Sequence, residues 1–298
     1  MQKKLSVIIV SYNASDILLH CIESILKYND IGSELEIIIS DNSPGLDLFN
    51  LVKERYQDIK IIHNQKNLGF GYGNNQGEMI ATGEYLLFLN PDTVLIEPLF
   101  SWAINQFDHN PKLGMFGVKL LKPDYTLNNS FMLLDTFGMK AWIFNKLLLK
   151  TDIFVEKKMF TSGADIYIRK SVFEKIGKFD ENIFMYYEES DLLRRIVKED
   201  STLEVKYFPQ RKIIHLEGGT KEVGKKSIKS YERQLNTFKY YCEKHGVNFK
   251  KAIKSEVILY SLQKEKYKIA GQVDKYDTEC EIINVAKKAL ELEKTLTD

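Results

Sequence analysis

The first 120 residues alternate between two hydrophobic periods, and that alternation constrains the fold more than any other feature. Short runs at 5–10, 35–39, 59–62, 85–89 and 115–118 are apolar or β-branched almost throughout. They read as strands buried on both faces. Between them the period lengthens. Leu18, Cys21, Ile22, Ile25 and Leu26 recur at helical spacing in 15–28, and Leu48, Leu51 and Val52 do so in 46–56. Residues 74–81 and 97–108 also read as helices. Strand and helix in strict succession predict a mostly parallel sheet flanked by helices, an α/β class with right-handed crossovers.

In such sheets ligands bind beyond the carboxyl ends of the strands. Three of those ends carry polar residues: Ser11-Tyr12-Asn13, Asp41-Asn42 and Asn90-Pro91-Asp92. All should line one edge of the sheet. Asp92, at the end of a buried strand, is placed to hold a divalent cation such as Mn²⁺ or Mg²⁺ through oxygen. Turn formation alone would also explain an Asn-Pro-Asp run. Asp41 could accept a hydrogen bond from a base N–H or a ribose hydroxyl, or simply close an Asx turn.

The remaining motifs are weaker singly. Lys66 to Asn75 is glycine-rich and suits close backbone approach to a ligand. It follows the third strand and lacks the acidic partner of dinucleotide-binding folds, so a Rossmann oxidoreductase is rejected. Glu188, Glu189 and Asp191 sit where a helix should begin. They could complement its dipole, pair with Arg194 or Arg195, or supply a general base. His215 follows a short apolar run and precedes a Gly218-Gly219 turn. Residues 121–160 are irregular and contain an apolar cluster from Trp142 to Leu149 between lysines. It could be a buried helix or lid, or could touch a membrane surface or a lipid-linked acceptor. From about 228 the chain reads as Lys/Glu-rich helices.

Composition narrows the rest. A net charge of +1 gives no nucleic-acid footprint. Cys21, Cys242 and Cys280 are odd in number and far apart, which favours a reducing compartment over a disulfide framework or a thiolate zinc site. The first apolar run is too short for a signal-peptide core. The expected location is cytoplasmic, peripheral at the inner face of the membrane if the apolar cluster docks there.

Taken in order, these stretches resemble the family 2 glycosyltransferases of the GT-A fold, closest to the bacterial rhamnosyltransferase-like branch. The likeness runs from residue 4 to about 220. It includes residues 7–13, Asp41-Asn42-Ser43, Asn67-Leu68-Gly69-Phe70-Gly71 with Asn74-Asn75, and Leu89-Asn90-Pro91-Asp92-Thr93. Ser162-Gly163-Ala164, Ile168-Arg169-Lys170, Phe179-Asp180-Glu181, the Met185 to Leu192 stretch and His215 complete it. The resemblance implies a catalytic domain over 1–225, with a nucleotide half to 120 and an acceptor half beyond, and a helical C-terminal extension over 226–298.

The resemblance also implies roles. Ser11, Tyr12, Asn13, Asp41, Asn67, Gly69, Asn74 and Asn90 would line the nucleotide site, Ser11 to Asn13 largely through backbone atoms. Asp41 would meet N3–H of uracil or thymine. Asp92 and His215 would hold the metal. The base falls on Glu189, with Glu188 and Asp191 as alternatives. The family usually has aspartate at that position, so the longer glutamate must be retracted to reach the same hydroxyl. Lys178 replaces a glycine, and Asp165 stands where a small or apolar residue is common, either touching a sugar hydroxyl or solvated. The implied reaction is inverting transfer from a UDP- or dTDP-sugar to a glycan or lipid-linked acceptor in surface polysaccharide synthesis. The alternatives are a sugar-phosphate nucleotidyltransferase, whose phosphate loop is missing after the first strand, and a non-catalytic nucleotide-sugar-binding module. The C-terminal helices could pair two copies.

Overall fold

The computed structural model describes residues 3–148, 150–216 and 228–295. Leu149 and the Gly218-Gly219 turn lie outside them. The chain divides into two units: Met1–Met132 with Asp152–Val223, and Leu133–Thr151 with Gly224–Asp298.

The strands are β1 (Leu5–Ser11), β2 (Leu35–Asp41), β3 (Lys60–His63), β4 (Tyr85–Leu89), β5 (Thr93–Leu95), β6 (Leu113–Leu121), β7 (Phe131–Leu133), β8 (Met159–Thr161), β9 (Asp165–Arg169) and β10 (Glu204–His215). All but β7 and β8 form one sheet, in the order β3-β2-β1-β4-β9-β6-β10-β5. Pairing is parallel from β3 through β4 and again between β6 and β10. β9 runs antiparallel to both neighbours, and β5 is antiparallel to β10 at the edge. This is the α/β, mostly parallel sheet that the alternation predicted.

Alternate strand residues feed two layers, as a pleated strand requires. Leu5, Val7, Ile9, Ile37, Ile39, Leu87 and Leu89 join one core. Its helices are α1 (Ser15–Lys27), α2 (Asp47–Arg55) and α4 (Phe100–His109). On the other face, α3 (Phe70–Met79) crosses β1 so closely that a Cβ at Gly77 would overlap Ile8, and one at Gly73 would come within 2.7 Å of Val10 Cγ1. Phe88 there meets Phe173 of α6 (Lys170–Lys175) at 4.8 Å and Phe179 at 5.0 Å between ring centroids.

Two elements differ from the sequence expectation for identifiable reasons. The helix expected from residue 74 begins at Phe70. Glycines disfavour helix, but here they allow α3 to sit against β1, and packing outweighs propensity. β10 spans twelve residues and extends well before His215. Its register against β6 breaks between Phe208 and Lys212, where Pro209 removes a ladder donor.

The second unit holds α5 (Gly138–Leu148), α8 (Ile228–His245), α9 (Phe249–Ile269) and α10 (Val273–Thr295), and α7 (Glu188–Glu199) belongs to the first. Phe238, Tyr241, Phe249, Ile253, Ile282 and Ala286 are buried in the helical unit. Asn248 caps α9 by accepting from Lys251 N at 2.8 Å. Among the described residues no helix is long and apolar enough to cross a membrane.

Candidate active site

The parallel register sets the first row of the site. Ser11 pairs with Asp41, and Asp41 with His63. Asn42 N donates to Ser11 O and Asn64 N to Asp41 O, each at 2.8 Å, so three strands end level. β4 stops at Leu89 beside Ile9, and the Asn90-Pro91-Asp92 turn follows at the same edge.

Asp41 is fully buried. Its Oδ1 accepts from Ser43 N at 2.9 Å, which is the Asx turn, and its Oδ2 lies 3.5 Å from His63 Nδ1. The two readings of Asp41 are therefore compatible, since one oxygen closes the turn and the other faces the strand-end row. His63 was missed in the sequence, although the strand-end rule that found Asp41 would have found it as the last residue of β3. Ser11 presents a buried hydroxyl with no hydrogen-bond partner, while its carbonyl is taken by Asn42. Tyr12 is exposed. Asn13 has a left-handed backbone (φ 51°) and donates its N–H to Ser43 Oγ at 3.0 Å.

A network of amides holds the next loop. Asn42 Nδ2 donates to Gly69 O at 3.2 Å and Asn67 Oδ1 at 3.4 Å, and Asn64 Nδ2 donates to Asn42 Oδ1 at 2.8 Å. Asn67 Oδ1 also accepts from Gly69 N at 3.1 Å. Gly69 needs to be glycine: its φ is 107° and a Cβ would overlap the Phe184 carbonyl. Asn74 is buried, with its amide donating to Phe70 O at 3.1 Å inside its own helix. Asn75 instead clamps a distant loop. It donates to Phe179 O and Glu181 Oε1 at 3.0 Å each and accepts from Phe179 N at 3.1 Å.

The antiparallel strands bring the second row. His215 lies opposite Thr93, and Leu216 N donates to Asp92 O at 2.8 Å. His215 Nε2 is consequently 3.2 Å from Asp92 Oδ1, although the two residues stand far apart along the chain. Beneath the turn, Asn90 O accepts from Thr93 Oγ1 at 2.7 Å and from Cys21 Sγ at 3.7 Å. Burial pushes the Cys21 thiol up to about 12, so it remains a neutral donor. Asp92 is 9% exposed. Among the described residues no group of three His, Cys, Asp or Glu side chains is arranged to hold a metal. Asp92 and His215 give one oxygen and one nitrogen donor, a set that suits Mn²⁺ better than the all-oxygen preference of Mg²⁺.

β9 joins the two rows to the acidic cluster. Asp165 pairs with Leu89, and Asn90 N donates to Ala164 O at 3.0 Å. Gly163 N donates to Glu189 Oε1 at 2.9 Å. Two hydrogen bonds thus separate Glu189 from the Asn90-Pro91-Asp92 turn. A Cβ at Gly163 would overlap Glu189 Oε1 and lie 3.1 Å from its Cδ, so glycine makes room for the longer side chain.

The three acids differ in environment. Asp191 is fully buried and paired with Arg195, whose Nε and Nη2 lie 2.8 and 2.7 Å from Oδ2. Arg195 Nη1 also donates to Ile176 O at 2.7 Å. This is the i,i+4 pair, and it ties α7 to the end of α6. Burial raises Glu189 above the usual carboxylate range, opposed by N–H groups including that of Gly163. Burial also raises Glu188 well above that range, with the Glu189 charge adding to it, and its Oε2 has no hydrogen-bond partner. The two adjacent carboxyls titrate together, and both are held above the usual carboxylate range. Tyr186 and Tyr187 enter α7 with φ of 68° and 71°, a costly conformation for two consecutive side chains that sets where the helix starts.

Asp165 corrects an expectation, since it is not solvated. It is fully buried, its Oδ2 accepts from Val118 N at 2.6 Å, and its Oδ1 has no partner. Burial holds its carboxyl well above the usual range.

The model of Glycosyl transferase family 2 matches residues 6–177. The chain belongs to that family. The α/β sheet is consistent with its GT-A fold. Its relatives include the O-antigen biosynthesis protein RfbC of Myxococcus xanthus, 25% identical over 73% of this chain and 18% of that protein. A poly(ribitol-phosphate) beta-glucosyltransferase of Bacillus spizizenii is 32% identical over 33% of this chain and 16% of its own length. An N-acetylglucosaminyl-diphospho-decaprenol L-rhamnosyltransferase of Mycobacterium tuberculosis is 24% identical over 61% of this chain and 66% of its own. The match therefore spans under a fifth of the first two relatives.

Proposed function

We propose that this chain transfers a sugar from a UDP- or dTDP-sugar to a hydroxyl of a glycan or lipid-linked acceptor, with inversion, in the synthesis of a surface polysaccharide. The observation that carries the reading is the linkage of Glu189 through Gly163 and Ala164 to the turn that bears Asp92. A proton acceptor thereby sits beside the edge where the donor would lie.

In this reading residues 1–120 hold the donor, residues 121–225 meet the acceptor, and residues 226–298 lie outside the catalytic domain. Asp41, steadied by Ser43 N and His63, accepts the N3–H of the base. Ser11, with its unpaired hydroxyl, and Tyr12, Asn13, Asn67, Gly69, Asn74 and Asn90 complete the nucleotide side. Asp92 and His215 would hold a Mn²⁺ or Mg²⁺ ion, which would offset charge on the departing diphosphate. Glu189 takes the proton of the acceptor hydroxyl, whose oxygen then attacks the anomeric carbon opposite the leaving group. Glu188, whose Oε2 has no hydrogen-bond partner, remains the alternative base. Asp191 positions α7 through Arg195.

A thermal-shift screen of UDP-, dTDP- and GDP-sugars with and without Mn²⁺ tests the proposal. A UDP- or dTDP-sugar should stabilise the protein most with Mn²⁺ present, and Asp92→Ala should remove the metal-dependent part. Failure of every donor to stabilise the wild-type protein would refute the reading. Turnover by Asp92→Ala at the wild-type rate would refute the metal role alone.

A further inference from the structure

Helix α5 is built inside out. Gly138, Ala141, Asn145 and Leu148 fall at i, i+3, i+7 and i+10, and none of them is exposed. They continue along one side of the helix from Gly138, which meets α9. The approach is close at the start: a Cβ on Gly138 would overlap the Ser255 backbone, and Ser255 Oγ donates to Phe137 O at 3.1 Å. The outward residues are the large apolar ones: Trp142, Ile143, Phe144 and Leu147 are all exposed, Leu147 by 62%. A helix with solvent on that side would carry the opposite pattern. Further along the α9 face that begins at Ser255, Ile258 and Leu262 are exposed as well.

Charge identifies what covers this surface. α5 and α9 together carry eight lysines and two glutamates, while α10 in the same unit carries six acidic residues and four lysines. The exposed apolar residues of this face, from Trp142 to Leu147 and at Ile258 and Leu262, therefore lie on the basic helices. Lys146 Nζ lies 4.3 Å from the centre of the Trp142 ring, an arrangement in which the aliphatic stem shares the apolar surface and the ammonium reaches a polar boundary. A second copy would fit poorly, because a twofold interface sets each patch against itself and would bring lysines together. An eleven-residue helix is also far too short to cross a bilayer, so it would lie along the interface.

We infer that the α5–α9 face docks on an anionic phospholipid surface, with Trp142, Ile143, Phe144 and Leu147 entering the headgroup boundary and the lysines meeting lipid phosphates. This deepens the proposal of a lipid-linked acceptor but does not depend on the donor site.

The test is co-sedimentation of the full chain with phosphatidylglycerol-rich vesicles against pure phosphatidylcholine vesicles. The wild-type protein should pellet with the anionic vesicles and be released by salt. Phe144→Glu with Leu147→Glu should weaken binding at least about tenfold, while stabilisation by UDP with Mn²⁺ stays unchanged. Lys140→Glu with Lys146→Glu, which leaves the apolar residues in place, should weaken it as well. Three results would overturn the inference: no binding to either vesicle, equal binding to both, or a concentration-dependent dimer that Phe144→Glu abolishes. The UDP measurement separates these from failure of the glycosyl-transfer reading.

Discussion

Replacing Gly163 with alanine asks how the acid at 189 is held. The backbone there is not left-handed, so alanine brings no conformational strain. The added Cβ would overlap only the Glu189 carboxylate, the far end of a flexible side chain, which must move by roughly an ångström to restore ordinary contact. That movement breaks the 2.9 Å bond from Gly163 N. Loss of one such bond costs about 1–3 kcal/mol. Each kcal/mol lowers the melting temperature by about 2–4 °C in a protein of this size, so the fold survives. Catalysis is more sensitive, since a misplacement of about 1 Å can cost about 10²-fold in rate. The assay is release of nucleoside diphosphate with Mn²⁺ and the donor that stabilises the protein most. We expect kcat to fall about 10²-fold with little change in donor affinity. The lost N–H favoured the ionised acid, so the acidic limb of the pH–rate profile should move to higher pH. Adding Glu189→Asp shortens the side chain by one methylene and should recover part of the rate. If Gly163→Ala keeps the wild-type kcat and the same acidic limb, the reasoning about Glu189 fails.

Three further outcomes follow from the same geometry. Glu189→Gln should cripple transfer while donor binding by thermal shift persists, and Glu188→Gln should keep measurable turnover; the reverse pattern would move the base to Glu188. Arg195→Ala strands the buried Asp191 carboxylate and should destabilise the protein by about 3–5 kcal/mol, read by urea denaturation; a loss near zero would show the pair to be dispensable. Asp165 has a folded-state pKa raised by burial, so its contribution to stability is full below the unfolded value and is lost as pH rises through the folded one. Asp165→Asn should accordingly melt higher than wild type at pH 8, by about 2–4 °C for each kcal/mol removed. The gap should narrow toward pH 5, and a constant gap would point to a cause other than ionisation.

The sequence alone determined the sheet and the edge at which its polar strand ends collect. Strand and helix periods are local properties, and parallel strands must end level when crossovers return each to the same side. Ser11, Asp41 and the Asn90-Pro91-Asp92 turn could therefore be placed together from β1, β2 and β4 without coordinates. The ordered motifs were enough to indicate the family, later shown by the match over residues 6–177.

Only the tertiary structure decided what pairs with what across the antiparallel strands. Asp92 meets His215 because β10 returns beside β5, and that depends on register rather than on any local pattern. Only the structure showed that, within and just beyond the glycine-rich stretch from Lys66 to Asn75, Gly73 and Gly77 let α3 pack against Val10 and Ile8 of β1. For the acids at 188, 189 and 191, the resemblance put the base on Glu189 with Glu188 and Asp191 as alternatives. The fold gives each a different partner, the Gly163 N–H for Glu189, the Arg195 guanidinium for Asp191 and none for Glu188 Oε2, because partners are set by the environment a folded chain builds and not by sequence spacing.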